Sequence, residues 1–467
     1  MLDERKDILI KDAYILTMDG EGRTYPRGDL LIRDGIISGV GDLAGENVEG
    51  CQVIDGKDRV VLPGFVNAHC HLQQYFRGVY ELIGEFFTVN LPLEGYRRPD
   101  DMEMLGLASC AEFIYGGCTT IMVIYTYPDG FAGVVEEAGL RALLGADIEE
   151  VDLERLRYGE YVYLPEKGQA GFERAVELFE KWQGRDNGRI RTAMTPKAPD
   201  MTTGETYKKC KEFAEKHDLL ITTHLSQSWR EFQQVRRLHG VTPTELMDRL
   251  GILGPGFCAT HCAFLTEHDT QLIARSGSRI IQCLFAHTPL TRWMDLGIDV
   301  CLGTDDYHHD MFQLIRKNII FQAYRAKLSG GVDEMMAADR KTSRPTYYEL
   351  LEMATRKGAE SLGLSKDLGS LEKGKKADLI TINMNNPYLK PSQDPVTSIV
   401  LYASPGDVDN VIVDGRFLKR DGRMTTIDLN QALEEAQQKS EEIIGRFFRD
   451  NPDQERMWRD RKGQRSR

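Results

Sequence analysis

The chain has 467 residues, which is long enough for a large core and a smaller second unit. Its 59 basic and 72 acidic residues give a formal charge of −13, which disfavours nucleic acid or an anionic membrane as a partner. The nine cysteines are scattered without Cys-X-X-Cys pairs, as in reduced cytoplasmic proteins. We find neither a signal peptide nor the roughly 18 consecutive apolar residues of a membrane span. These features predict a cytoplasmic protein with a small-molecule substrate.

Both ends of the chain predict short β-strands. Apolar runs at residues 8–10, 14–16, 30–32 and 36–40 are separated by turns, and Asp34-Gly35 is typical of a hairpin. Strands return after residue 365, at Ala377–Ile382 and Val408–Val413. We therefore expect residues 1–62 and 365–427 to form one small composite β-sandwich domain.

Between these segments, short apolar strands alternate with helical stretches. The expected strands are Thr120–Ile124, Leu140–Asp147, Ile190–Met194, Leu219–Thr223, Cys258–Thr260, Arg279–Gln282 and Val300–Leu302, after a first strand that ends before His69. The expected helices are 100–116, 168–184, 203–217, 241–250, 266–276, 310–328 and 346–362. Eight such units predict an α/β fold, a (β/α)8 TIM barrel over residues 63–364, with its chemistry at the carboxyl ends of the strands.

The C-terminal tail, residues 428–467, has a helical pattern and ends in a basic cluster at 456–462. Because the whole chain is acidic, we expect this helix to pack on the barrel or to contact another subunit rather than nucleic acid.

The first predicted barrel strand runs into His69-Cys70-His71. Residues i and i+2 of an extended chain face the same side, so both imidazoles can reach one ion. Such a triplet alone is weak, but further candidate ligands follow other strands: His224 after strand 5, His261 after strand 6 and Asp305 after strand 8. Neutral imidazoles with one carboxylate suit zinc and leave a position for water. Asp305 can also accept a proton from that water as a general base.

These motifs resemble the amidohydrolase superfamily, in particular its aminohydrolases and chlorohydrolases of purines, pterins and s-triazines. The resemblance spans nearly the whole chain, through the segments VLPGFVNAHCH, THLSQS, ATHCAFL, LGTDD and GSLEKGKKADLITI. It implies that His69, His71, His224 and Asp305 bind one divalent metal per chain, zinc first, with Fe, Co or Mn as alternatives. It also implies that His261 polarises the substrate, that Asp305 accepts the proton, and that the protein is a homo-oligomer. Arg77 matches a structural or substrate-facing arginine after the first motif.

One departure from this pattern concerns proton transfer. Gln227 stands where deaminases of the branch carry the glutamate that moves a proton to a ring nitrogen. An amide donates hydrogen bonds but has no accessible pKa. Ring deamination therefore needs another acid, for which Glu231, His308 and His309 are candidates, or the substrate has a leaving group that needs none.

Two further positions have open roles. Lys197, after strand 4, matches the carboxylated lysine that bridges two metals in binuclear members, but a lysine there can also bind a substrate anion or remain solvated. His287, beyond strand 7, is a further pocket candidate.

The sequence as a whole predicts a metal-dependent hydrolase. We expect metal-bound hydroxide to attack a C–N bond of a small (hetero)aromatic substrate, by deamination or by cleavage of an amide or urea. Dechlorination and thiocarbamate hydrolysis on the same scaffold are the alternatives within this class. The alternative of another class is a noncatalytic barrel that binds or assembles with a partner.

Overall fold

The computed structural model describes residues 6–72, 74–79, 91–283, 288–306, 308–329 and 345–464. The strands are β1 Ile8–Leu16, β2 Thr24–Arg33, β3 Ile36–Gly41, β4 Gln52–Asp55, β5 Arg59–Pro63, β6 Phe65–Cys70, β7 Cys118–Tyr125, β8 Arg141–Ile148, β9 Ile190–Pro196, β10 Ile221–Leu225, β11 Phe257–His261, β12 Arg279–Gln282, β13 Val300–Leu302, β14 Leu379–Asn383, β15 Val408–Val413, β16 Arg416–Arg420 and β17 Arg423–Met424.

The α-helices are α1 Leu91–Glu94, α2 Asp101–Tyr115, α3 Pro128–Ala138, α4 Leu153–Leu156, α5 Pro165–Trp182, α6 Arg185–Gly188, α7 Gly204–His217, α8 Trp229–His239, α9 Pro243–Arg249, α10 Glu267–Ser276, α11 Leu290–Asp295, α12 Met311–Ser329, α13 Tyr347–Ala354, α14 Arg356–Ser361, α15 Pro395–Tyr402, α16 Leu429–Asp450 and α17 Pro452–Gln464. Short 3-10 turns occupy Gln74–Phe76 and Pro405–Asp407.

Both ends of the chain contribute to one nine-stranded sheet. Its order is β17-β16-β15-β14-β5-β1-β2-β3, with β4 paired to β1. The antiparallel pair β5–β14 joins the N-terminal and C-terminal halves of the sheet. The apolar runs at 8–10 and 14–16 belong to a single strand, β1. A bulge lies between the two runs, where Asp12 adopts a positive φ of 61° and the pairing with β2 shifts register.

Eight parallel strands, β6 to β13, form the barrel in sequence order. Every residue of β6, β7 and β8 is buried, as expected for parallel strands covered on both sides. The last strand returns to the first, because the Asp305 amide donates to the His69 carbonyl at 3.0 Å and Cys70 forms a parallel bridge with Asp305. The predicted (β/α)8 barrel and its eight strands are confirmed.

Barrel closure depends on the absence of a side chain at Gly303. A Cβ at this position would lie 2.7 Å from the Cβ of His69 and 2.9 Å from its backbone nitrogen and oxygen. Real Cβ atoms do not pack this closely, so β13 can approach β6 only with glycine there. The closing contact therefore also sets the distance between Asp305 and the His69 strand.

A buried ion cluster connects the amino end of β8 to the nine-stranded sheet. Arg141, whose side chain is 2% exposed, donates to Asp378 at 2.8 and 3.1 Å and to Asp414 at 2.7 Å. One planar guanidinium thus binds two carboxylates, that of Asp378 directly before β14 and that of Asp414 directly after β15.

Seven α-helices of the described residues were absent from the sequence prediction, and α3 and α8 are the longest of them. Helix α3 follows β7 and contains Gly130 and Gly133, whose low helix propensity hides it, although Pro128 at its first turn and Gly139 at φ 88° mark its ends. Helix α8 begins at an N-cap serine, Ser228, only a few residues after β10.

The predicted C-terminal helix is two helices, α16 and α17, that pack on the barrel. Arg446 donates to Asp101 at the start of α2 at 2.9 Å, and Trp458 Nε1 donates to the carbonyl of Gly78 at 2.9 Å. Packing on the barrel, one of the two arrangements expected for the tail, is thus observed. Among the described residues, we find no helix with the length and apolar character of a membrane span.

Candidate metal centre

Strand geometry brings His69 and His71 to the same side of the chain at the carboxyl end of β6. His69 is fully buried and His71 is 8% exposed. Their ring centroids lie 4.8 Å apart. His224, in β10, approaches both rings, with centroids 5.0 Å from His69 and 5.3 Å from His71. The structure therefore collects the three predicted histidine ligands at one barrel end.

The tautomers of His71 and His224 are fixed by backbone carbonyls. His71 Nδ1 donates to the Ile124 carbonyl at 3.0 Å, and His224 Nδ1 donates to the Lys197 carbonyl at 2.7 Å. Because a carbonyl can only accept, both Nε2 atoms carry lone pairs, and they face each other at 3.2 Å. Two facing lone pairs repel each other unless a cation lies between them, so this arrangement fits a metal ion.

Asp305 provides an oxygen at matching distances. Its Oδ1 lies 3.6 Å from both His69 Nε2 and His71 Nε2. Donor atoms placed 2.0–2.1 Å from zinc at tetrahedral angles are roughly 3.3 Å apart. The observed separations of 3.2 to 3.6 Å agree with that geometry.

The protonation states also fit a cation. Burial lowers the pKa of His69 to about 3, so its imidazole is neutral, and neither of its ring nitrogens has a hydrogen-bond partner in the part of the chain that the structure describes. Burial opposes ionisation of Asp305, but interactions with His261 and His69 outweigh it and hold the pKa of this carboxyl below its usual range. The cluster therefore offers the neutral imidazole of His69 and the carboxylate of Asp305 near neutral pH.

His261 ends β11 beside the same carboxylate, with Nδ1 3.9 Å from Asp305 Oδ2. Burial lowers its pKa to about 3. Both His261 and Asp305 adopt left-handed backbone conformations, at φ 74° and 63°. For residues other than glycine this conformation costs about 1–3 kcal/mol and is concentrated at functional sites.

Gln227 lies in the loop after β10, and Glu231 fixes that loop. The carboxylate of the fully buried Glu231 accepts the backbone amides of Ser226 at 2.8 Å and Gln227 at 2.7 Å. Burial raises the pKa of Glu231 to about 8. Its observed contacts are therefore with the loop backbone, which positions Gln227.

Lys197 is directed to a carboxylate rather than to the histidines. Its Nζ donates to Asp147 Oδ2 at 2.8 Å. Burial alone would lower the pKa of Lys197, but the charges of Asp147 and Glu149 raise it, so the amine is a cation. Carboxylation requires a neutral amine, and this ion pair therefore favours a role in charge balance or substrate binding over a bridging role.

The predicted residues His308 and Arg77 have hydrogen-bond partners of their own. His308 Nδ1 accepts the Asp310 amide at 3.3 Å, and its Nε2 lies 3.4 Å from Lys317 Nζ. Arg77 donates to Glu112 at 2.6 Å. These contacts are with groups other than the histidine cluster. His287 lies outside the described residues.

Other residues of the site were missed by the sequence prediction. Asn67 donates to Thr304 Oγ1 at 2.7 Å and accepts the Thr304 amide at 3.0 Å, so it links the strands of His69 and Asp305. Thr304 also contacts His309 Nδ1 at 3.1 Å. Asn67 precedes His69 by two residues, and the period-2 rule already places it on the ligand face. Cys283 lies directly after β12, so the reasoning that placed the ligands at strand ends could also have identified it.

Comparison with known proteins identifies the family. Residues 60–418 match the amidohydrolase family. The chain belongs to the amidohydrolase family. It is 31% identical over 455 residues to a 5′-deoxyadenosine deaminase of Methanosarcina acetivorans, covering 94% of this chain and 99% of that protein. It is 29% identical to a 5-methylthioadenosine/S-adenosylhomocysteine deaminase of Syntrophomonas wolfei, covering 94% and 100%.

Solved structures share the fold of this amidohydrolase. A zinc-bound adenosine deaminase from Xanthomonas campestris superimposes with a TM-score of 0.82 at 23% identity, covering 94% of this chain and 99% of that chain. Atrazine chlorohydrolase TrzN from Arthrobacter aurescens TC1, complexed with zinc, gives 0.80 at 20% identity, covering 93% and 100%.

The family and the relatives together confirm the predicted enzyme class. This amidohydrolase is a metal-dependent hydrolase that acts on carbon–nitrogen bonds other than peptide bonds. The prediction of an enzyme is thus confirmed over the alternative of a noncatalytic barrel.

Proposed function

We propose that this amidohydrolase is a zinc-dependent deaminase of a small heteroaromatic amine, with adenine nucleosides as the first substrate class to test. In this proposal His69, His71, His224 and Asp305 hold one ion per chain. The observation that carries the proposal is the pair of facing His71 and His224 nitrogens, 3.2 Å apart, beside Asp305. Near-full-length similarity to deaminases supports the choice of reaction.

A zinc ion held there supplies the Lewis acidity that makes hydroxide available near neutral pH. Asp305 accepts the proton released by the attacking water, since it is a carboxylate at neutral pH and lies at the mouth of the donor cluster. The Asn67–Thr304 hydrogen bonds hold its strand end in place, so the carboxylate does not need to move before it accepts the proton.

His261 stabilises the charge that develops on the substrate. Its Nδ1 lies 3.9 Å from Asp305 Oδ2, and its pKa of about 3 keeps the ring neutral. A neutral imidazole can polarise a reacting ring atom by a hydrogen bond without competing with the metal for the carboxylate.

Charged side chains beside the histidines favour a polar substrate. Arg97 pairs with Glu94 at 3.1 Å and donates to the Leu72 carbonyl at 2.6 Å, next to His71 in sequence. Lys197 and Asp147 form a second pair near the His224 ligand. A substrate with ring nitrogens and hydroxyl groups can exchange hydrogen bonds with these ion pairs, whereas an apolar one would cover them without forming any.

Gln227 favours a second candidate reaction. It provides no titratable group where ring deamination uses a carboxylate, and Glu231 is bonded to the loop backbone. Hydrolysis of an aryl urea, a thiocarbamate or a chlorinated ring releases a group that needs less proton transfer to the ring. This candidate reaction uses the same ion, with Asp305 and His261 in the same roles.

A product-resolved assay decides between the two. The zinc-loaded protein is incubated with adenosine, 5′-deoxyadenosine and 5′-methylthioadenosine, and in parallel with aryl ureas, thiocarbamates and chlorotriazines, with detection of ammonia and mass spectrometry of the products. We expect ammonia from at least one nucleoside, loss of that activity in His71→Ala, and retention in His239→Ala, an exposed histidine at the end of α8.

Amine, thiol or chloride release without ammonia would replace deamination by the second candidate. The absence of product from both substrate sets would contradict both candidate reactions.

We also propose, from the scattered free cysteines and the family resemblance, that the enzyme is cytoplasmic and forms a homo-oligomer. Size measurement in solution tests the oligomer directly.

A further inference from the structure

Cys283 lies at the same barrel end as the histidine cluster. It follows β12 directly, between His261 at the end of β11 and Asp305 after β13, so three neighbouring strands present these side chains. The thiol is fully buried. One donor atom from each of His261, Cys283 and Asp305 lies within 4.8 Å of the other two.

The two oxygens of Asp305 face different partners. Oδ1 lies 3.6 Å from the Nε2 atoms of His69 and His71, whereas Oδ2 lies 3.9 Å from His261 Nδ1. The first group, completed by His224, accounts for the ion proposed above. The second group adds Cys283 and His261, and a donor atom of His261 also lies within 4.8 Å of donor atoms of His69 and His224. The four ligands assigned to the first ion share only the carboxylate with this group.

We propose that His261, Cys283 and Asp305 Oδ2 form a second, softer cation site that shares the Asp305 carboxylate with the first ion. This inference rests on the first ion site of the proposed function. It differs from a lysine-bridged pair of metals, because Lys197 is held by Asp147 at 2.8 Å.

The donor set selects the class of ion. Thiolate, imidazole and carboxylate suit zinc, cobalt or cadmium, whereas magnesium and calcium prefer oxygen ligands alone. Binding deprotonates the thiol and releases one proton to solvent, because a coordinated cysteine is a thiolate. One carboxylate can bridge ions that are about 3.5–4 Å apart.

Occupation of this second site inhibits hydrolysis. The ion would take the oxygen of Asp305 and the imidazole of His261 that the reaction needs for proton transfer and substrate polarisation. Zinc beyond one equivalent per chain is therefore expected to lower the hydrolysis rate at least tenfold from its value at one equivalent.

Cobalt titration of the metal-free full-length protein tests the site without relying on turnover. Equilibrium dialysis counts bound ions, and the sulfur-to-cobalt charge-transfer absorption in the near ultraviolet reports a thiolate ligand. We expect two equivalents per chain, with the charge-transfer band growing only during the second. Cys283→Ser should bind one equivalent and lack the band. Cys301→Ser, a buried cysteine within β13, is the matched control and should retain both.

Each outcome is decisive. Saturation at one equivalent, or two equivalents without the band, overturns the second site. A band that appears with the first equivalent places Cys283 on the first ion and also overturns it. Failure to bind any cobalt would contradict the first site and the proposed function as well. If Cys283→Ser fails to fold, the wild-type titration alone distinguishes these outcomes.

Discussion

At the scale of single residues, backbone contacts define the chemistry of the centre. The carbonyls of Ile124 and Lys197 fix which nitrogens of His71 and His224 can bind a cation. Glu231 in turn holds the loop that carries Gln227. The ligand identities could be predicted from residue type and strand position, but the tautomers could not, because they depend on carbonyls distant in sequence.

Gln227 gives the sharpest prediction at this scale. We expect Gln227→Glu to raise ammonia release from an aminopurine nucleoside at least tenfold, because general acid–base groups contribute about 10²–10⁴-fold. Steady-state rates with 5′-deoxyadenosine measure the gain. Gln227→Asn is the matched control, since it keeps an amide.

An unchanged rate in Gln227→Glu would show that another group already carries the proton. A rate that falls in Gln227→Glu but not in Gln227→Asn would show that the amide itself binds the substrate.

At the scale of elements, the site is a consequence of barrel closure. Periodicity and turn residues predicted the eight barrel strands, because most of these strands are short runs rich in apolar and β-branched residues between breakers. Helix α3 was missed because Gly130 and Gly133 weaken its pattern. The contact between Gly303 and His69 has no local signal, since the two residues are far apart in the sequence.

Gly303→Ala tests closure. Its Cβ would lie 2.7 Å from the His69 Cβ, so the strands must separate, at a cost of about 1–3 kcal/mol, as is typical of overpacking. We expect a lower midpoint of thermal unfolding and at least tenfold weaker zinc binding, measured by calorimetry and competitive chelation. Gly254→Ala, where an added Cβ meets nothing within 4 Å, should change neither. Wild-type zinc affinity in Gly303→Ala would contradict the link between closure and the centre.

At the scale of the whole molecule, buried neutral histidines make stability depend on pH. His309 is stacked on Phe113 at 4.1 Å, and burial lowers its pKa to about 4, against an ordinary value of about 6.5. Between these values the unfolded chain binds the proton and the folded chain does not. The free energy of unfolding therefore falls as the pH drops from about 6.5 towards 4.

His309→Gln removes this contribution. From pH 7 to pH 5, we expect the wild-type protein to lose about 2 kcal/mol more of its free energy of unfolding than the variant, as the linkage relation gives for these pKa values. Urea unfolding of both metal-free proteins at the two pH values measures the difference. An equal loss in both would show that His309 titrates normally in the folded protein.

The proposed chemistry depends most on one ion held by His69, His71, His224 and Asp305. The direct test measures bound zinc and hydrolysis rate in the same samples, as the metal is removed with a chelator and then restored stepwise. We predict that the rate falls to background without zinc and rises in proportion to bound zinc up to one equivalent per chain. Full activity in the metal-free protein, or tight zinc binding that survives in His71→Ala and Asp305→Asn, would contradict a catalytic ion at these residues.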